Sequence, residues 1–131
     1  AKPNCFSSEC YKGILNDSSV GVFNGKVVVH QDAQKIMAYQ QNNNLLLSDN
    51  AVINSKPELE IYADDVKCSH GSTTGQLDQE ALFYLQSRGV SKSIATQLLM
   101  VGFVEEVIEE IQIDEIKEFF SNKISTLLSC N

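Results

Sequence analysis

No apolar run in this 131-residue sequence approaches the roughly 18–20 residues needed to span a bilayer, so no membrane helix is expected. The amino end, AKPNCFSSEC, lacks the basic and apolar pattern of a signal peptide. It also lacks an initiator Met, which suits a processed or truncated chain. No basic stripe exists, and the formal net charge is −7, which speaks against nucleic-acid binding. The four cysteines, Cys5, Cys10, Cys68 and Cys130, form no C-x-x-C pair and no zinc-finger spacing. They are too sparse for a disulfide scaffold and read as reduced thiols in a cytosolic setting. Cys5 and Cys10 carry no expected role, and Cys130 beside the terminus reads as unconstrained. Ser72-Thr73-Thr74 is not a phosphate loop, since no GxxxxGK[ST] pattern accompanies it, and no GxSxG elbow appears.

What the chain does contain is a soluble, globular composition, 43% hydrophobic, written in two grammars. From about Ser18 to Cys68, short β-prone runs alternate with polar turns: Val27–Val29, Leu45–Leu47, Ala51–Ile53 and Leu59–Tyr62. Val27–Val29 is echoed by Ala51–Ile53, 24 positions on, and Gln40-Gln41 by Asp64-Asp65 at the same offset. A period of that size suggests a solenoid of short strands, with Asn42–Asn44, Asn50 and Asn54 at its turns. An ordinary β-sandwich with a chance repeat is the other reading. After Gly75 the pattern turns helical. Asp78 can cap Gln79–Ser87, with Arg88-Gly89 as its stop. Ser91 can cap a second helix through Leu98, Leu99, Phe103, Val107 and Ile111. Asp114 can cap a third, bearing Ile116, Phe119, Phe120, Ile124, Leu127 and Leu128 as packing residues. Gly102, inside the second helix, fits either a close helix approach or simple tolerance. The expected division is a β unit over residues 1–76 and a helical unit over residues 77–131.

Chemistry concentrates at Cys68 and His70. On a strand, residues i and i+2 project from one face, so a thiolate and an imidazole stand side by side. Such a pair can bind a soft or borderline metal, or serve as nucleophile and base. It can equally fill or cap the last turn of a solenoid, here next to Gly71 and Gly75, a stretch that reads as a mobile break. Asp64 and Asp65, as adjacent strand residues, would face opposite sides, and a turn role fits them better than metal binding. His30 reads as a strand-end histidine. The acidic tail, Glu105, Glu106, Glu109, Glu110, Asp114, Glu115 and Glu118, forms either a solvated helix face or a docking face for a basic partner.

Three stretches carry a family likeness: FNGKVVVHQDAQKIMAYQQNNN over 23–44, LLLSDNAVINSKPELEIYADDVKCSHGSTTGQLDQEALFYLQSRGV over 45–90, and IATQLLMVGFVEEVIEEI over 94–111. The chain resembles the C-terminal region of the SufB/SufD family of iron–sulfur cluster assembly scaffolds. The KCSHG wording, with Gly71 after His70 where the SufB branch tends to carry Glu, favours the SufD branch. The resemblance implies a mainly β fold with α, namely the end of a right-handed parallel β-helix followed by a C-terminal helical domain. It further implies a non-enzymatic role, with His70, and more weakly Cys68, contributing to a cluster-building site at a SufB interface. A transient iron–sulfur cluster is then expected in the full complex and none in this chain alone. The helical part, Gln79–Ile111, would dock the ABC-type ATPase SufC, in the cytoplasm.

Two rivals stand beside that reading. One is a thiol-dependent enzyme with Cys68 as nucleophile and His70 as base, which lacks an evident third residue to orient the imidazole. The other is an architectural adaptor in which both residues only pack. If upstream repeats are missing, open strand edges are expected to favour self-association.

Overall fold

The structure, a computed structural model, describes residues 3–129. The chain divides into two compact units, Ala1–Gln76 and Leu77–Asn131. The first holds five strands: β1 (Phe6–Leu15), β2 (Val20–Val29), β3 (Ile36–Leu46), β4 (Val52–Ile61) and β5 (Val66–Gln76). They alternate between two sheets, ordered β1-β3-β5 and β2-β4, and every pairing is parallel.

The register corrects the expected repeat. Phe6 lies opposite Met37, Ile36 opposite Val66 and Val20 opposite Val52, so the spacing is 30–32 residues. The apparent offset of 24 matched residues that do not stack: Val27 pairs with Leu59. Two strands of about ten residues plus two turns fill one repeat, where several short strands were expected. Asn42–Asn44 lie inside β3, with Asn42 and Asn44 buried, and Asn54 lies in β4; Asn50 is in a turn. Hydrophobicity alone hides strands such as these, because their interior face is partly polar. For the same reason Phe6–Leu15 gave no strand signal, and the supposed break after His70 is continuous strand to Gln76.

Alternation sets the two faces. In β3, Ile36, Ala38, Gln40, Asn42 and Asn44 point inward, while Met37, Tyr39 and Gln41 are exposed. In β2 the inward positions are Gly21, Phe23, Gly25, Val27 and Val29. Near one end the interior is apolar, with Val29, Ala33, Ile36, Ala38 and Ala63 packed together. Midway it turns polar. Gly25 is required there, since a Cβ would sit 2.5 Å from Gln40 Oε1 and 2.7 Å from Phe23 Cζ.

Outside, β2 and β4 carry ion pairs. Lys26 meets Glu60, and Lys56 meets Glu58 at 2.8 Å. The Lys56 ammonium holds the Glu58 carboxyl below its usual range, and the bond to Glu60 raises Lys26. On β4, the Val52 N–H bonds back to Ser19 and the Tyr62 N–H to Val29. Even-numbered residues of this stretch thus aim their backbone groups at β2, and odd-numbered ones aim away. Pro57, which has no N–H, occupies an odd position.

The second unit is three helices: α1 (Gln79–Ser87), α2 (Lys92–Ile108) and α3 (Asp114–Leu128). Asp78 caps α1 by accepting from the N–H groups of Glu80 and Ala81, and Ser91 caps α2 through Ile94. Gly89, at φ +89, ends α1 as expected. Helix α2 stops at Ile108, short of Ile111. Asp114 is no cap: Ile113 holds that place without a side-chain bond, and Asp114 enters the first turn as a charge. Helices α1 and α3 both pack on α2, where Leu82, Ala95, Met100 and Ile108 are buried. Leu98, Ile116, Phe119, Phe120 and Leu127 are exposed, contrary to their expected place in the packing. A Cβ at Gly102 would meet open space, so no close helix approach explains that glycine.

Candidate functional site

β5 is the last strand of its sheet, and no strand of the other sheet follows it among the described residues. Its register extends the interior columns by one step. Cys68 stands beside Ala38, His70 beside Gln40, and Ser72 beside Asn42. Cys68 and His70 therefore do share one face, as their spacing predicted.

Their environments differ. Cys68 is half-buried and packs against the apolar cluster of Val29, Ala33, Ile36, Ala38 and Ala63. His70 is exposed, with no side-chain hydrogen bond among the described residues. One residue is anchored in the interior, and the other is offered to solvent.

Beside His70 lies a polar interior that composition did not flag. Gln40, 3% exposed, donates from Nε2 to Glu9 Oε2 at 3.0 Å, and its Oε1 has no partner among the described residues. Asn44 Nδ2 donates to Asn42 Oδ1 at 2.7 Å and to the Thr73 carbonyl at 3.4 Å. Ser55 Oγ on β4 donates to the same Asn42 oxygen at 2.8 Å, and Ser72 Oγ donates to Ser55 Oγ at 2.8 Å. The chain of bonds runs from the buried amides to a surface hydroxyl two residues from His70. The signal in the sequence was parity: Gln40, Asn42 and Asn44 fall in step with Ile36 and Ala38, which marks them as interior.

The remaining candidates lie apart from this face. His30 is exposed just past β2. Asp64 and Asp65 occupy the turn before β5, where the Asp65 N–H donates to Gln34 Oε1 at 3.0 Å and its carbonyl accepts from Lys35. Among the described residues no three or more His, Cys, Asp or Glu side chains gather as a metal site. Cys5 and Cys10 are exposed on or beside β1, and Cys130 lies outside the described residues. No described helix is long and apolar enough to cross a membrane.

Comparison with known proteins gives a consistent picture. The family described as SUF system FeS cluster assembly, SufBD core domain, matches residues 1–103. The chain is 44% identical over 114 residues to the iron-sulfur cluster assembly protein SufD of Escherichia coli, covering 87% of this chain and 27% of that protein. A SufBD family protein of Synechocystis is 44% identical over 88% of this chain and 25% of its own length. The chloroplastic protein ABCI7 of Arabidopsis thaliana is 41% identical over 96% of this chain and 27% of its own length. The chain thus spans about a quarter of the length of these relatives.

Proposed function

Because the chain belongs to the SufBD family of the SUF iron–sulfur cluster assembly system, we propose that it acts as a non-catalytic scaffold of the SufD branch. The observation that carries this reading is the exposed imidazole of His70 on the interior face of the last strand, beside the anchored Cys68. Imidazole is a fitting ligand for iron that must later leave, since it holds a cluster less firmly than thiolate does. The cluster is cargo here, and His70 supplies only part of its coordination. A partner has to supply the rest, and SufB, meeting the open side of β5, is the proposed one.

In this proposal the alternating two-sheet winding is the end of a right-handed parallel β-helix. The helical unit docks the SufC ATPase, and the exposed Phe83 and Tyr84, with Glu80 along the same groove of α1, support a docking role. The working compartment is the cytoplasm. A thiol enzyme is less well supported, because the Cys68 side chain faces an apolar cluster while a nucleophile needs an approachable thiolate.

The test is anaerobic iron–sulfide reconstitution of the SufB–SufC–scaffold complex with and without His70→Ala, read by visible absorption and Mössbauer spectra. Loss of the cluster in an intact, ATPase-competent complex is the expected result. A normal cluster yield overturns the assignment and leaves an architectural adaptor.

A further inference from the structure

We infer that Ser72 and Thr73 determine which strand can add to β5: both hydroxyls offer only lone pairs at its open side, so the partner must bring hydrogen-bond donors, amide or cationic, to this point. A backbone carbonyl in the interior fixes the direction of the bonds behind Ser72. The Thr73 carbonyl can only accept, so the Asn44 group facing it, at 3.4 Å, is the amide nitrogen. That nitrogen also donates to Asn42 at 2.7 Å, which turns the Asn42 oxygen toward Asn44 and toward Ser55. An amide oxygen cannot donate, so the single proton of Ser55 goes to Asn42. Ser55 can then only accept from Ser72, at 2.8 Å, and the single proton of Ser72 points inward. Asn42 and Asn44 are buried, so water does not readily reverse this order.

Thr73 repeats the arrangement on the opposite face of the strand. Its Oγ1 donates to Asn43 Oδ1 on β3 at 2.8 Å, and the same oxygen accepts from Gln41 Nε2 at 3.0 Å. Two adjacent hydroxyls of β5 thus spend their protons on β4 and β3, behind the edge. Both residues are exposed, and β3 alone stands beside β5 among the described residues, so lone pairs are what the open side presents. A hydroxyl with a free proton turns to suit either kind of partner. These two must first break a bond already made. A neighbour with carboxylate or carbonyl groups here buries acceptor against acceptor, whereas an amide N–H, Lys or Arg finds a ready site. The net charge of −7 favours a cationic donor in the same way. This requirement on SufB rests on its proposed meeting with β5.

The experiment is calorimetric titration of SufB into the protein. Ser72→Ala and Thr73→Val should each weaken binding about fivefold, the worth of roughly one hydrogen bond. Ser72→Asp, an acceptor without a proton at neutral pH, should bind at least as tightly as the native chain. Ser55→Ala should leave binding unchanged, because the Ser72 lone pairs remain. Native affinity in both Ser72→Ala and Thr73→Val, with the sheet intact by circular dichroism, overturns the inference. Weaker binding by Ser72→Asp than by Ser72→Ala also overturns it, since an acceptor then faces Ser72. A loss in Ser55→Ala equal to that in Ser72→Ala does the same, by reducing Ser72 to an internal brace. Absence of any binding to the native chain is a separate outcome, which removes the SufB interface and this requirement with it.

Discussion

His70 lies directly beside Gln40 in the parallel register of β3 and β5, on the same interior face, yet Gln40 is buried and His70 is open to solvent. Nothing in the two strands' conformation accounts for the difference. It arises because β3 is flanked in its sheet by both β1 and β5, whereas β5 has β3 alone beside it among the described residues. An interior position has become a surface position by being last.

The amide network should matter for stability. Asn44→Ala removes a donor from Asn42 and leaves buried polar groups unpaired, at a cost of about 1–3 kcal/mol. Ser55→Ala should be costly too, and the pair should be clearly non-additive, because both act on the Asn42 oxygen. Urea denaturation of the single and double variants checks this.

Two glycines should respond in opposite ways. Gly25→Ala forces a methyl against Gln40 and Phe23 in a closed interior, which should destabilise by about 1–3 kcal/mol. Gly102→Ala adds a methyl to open space inside α2 and should stabilise by about 1 kcal/mol. Thermal and urea unfolding distinguish the two.

The helix starts offer a graded comparison. Asp78→Ala removes a side chain that accepts two backbone N–H groups, and should cost α1 about 1 kcal/mol. Asp114→Ala removes only a favourable charge in the first turn of α3, worth about 0.5 kcal/mol. Amide exchange in each first turn reports the difference; equal losses would contradict the cap assignment.

Outer-face electrostatics predict an acid-side effect. The Glu58 carboxyl is held low chiefly by its hydrogen bond to Lys56, so its contribution is fully present above the ordinary glutamate range. That contribution fades as pH falls through the lowered value. Carboxyl NMR titration should find Glu58 below the usual range and returned to it by Lys56→Met. Because both groups are exposed, the accompanying change in stability should be small and should shrink with added salt.

Several of these features were legible in the sequence because local chemistry decides them. Asp78 and Ser91 before helical runs, and Gly89 after one, need no tertiary information to act as caps and stop. The shared face of Cys68 and His70 follows from strand geometry alone. What the sequence obscured was settled by stacking. Asn42 and Asn44 look like turn residues until neighbouring strands supply their partners, and a repeat of 30–32 residues is hard to see when three of the five inward positions of β3 are amides. Asp114 looked like a cap, but the helix begins one residue earlier than its side chain could serve. The separate fates of Cys68 and His70 also depend on which strand lies opposite, and residue spacing says nothing of that.

The position of Pro57 has a consequence for propagation. A row of strands that all run the same way is a natural template, since each added strand finds the bonding pattern of the one before it. On β4 that pattern is broken at its midpoint, where the outward-facing donor is missing. β5 contains no proline, so its outward row of donors is uninterrupted. A zipper of foreign strands can therefore start along one sheet, but it stalls on the other, and growth on a single flank cannot build a two-sided fibre. The proline leaves the two flanks of the winding's far end unequal, one row of donors unbroken and the other interrupted.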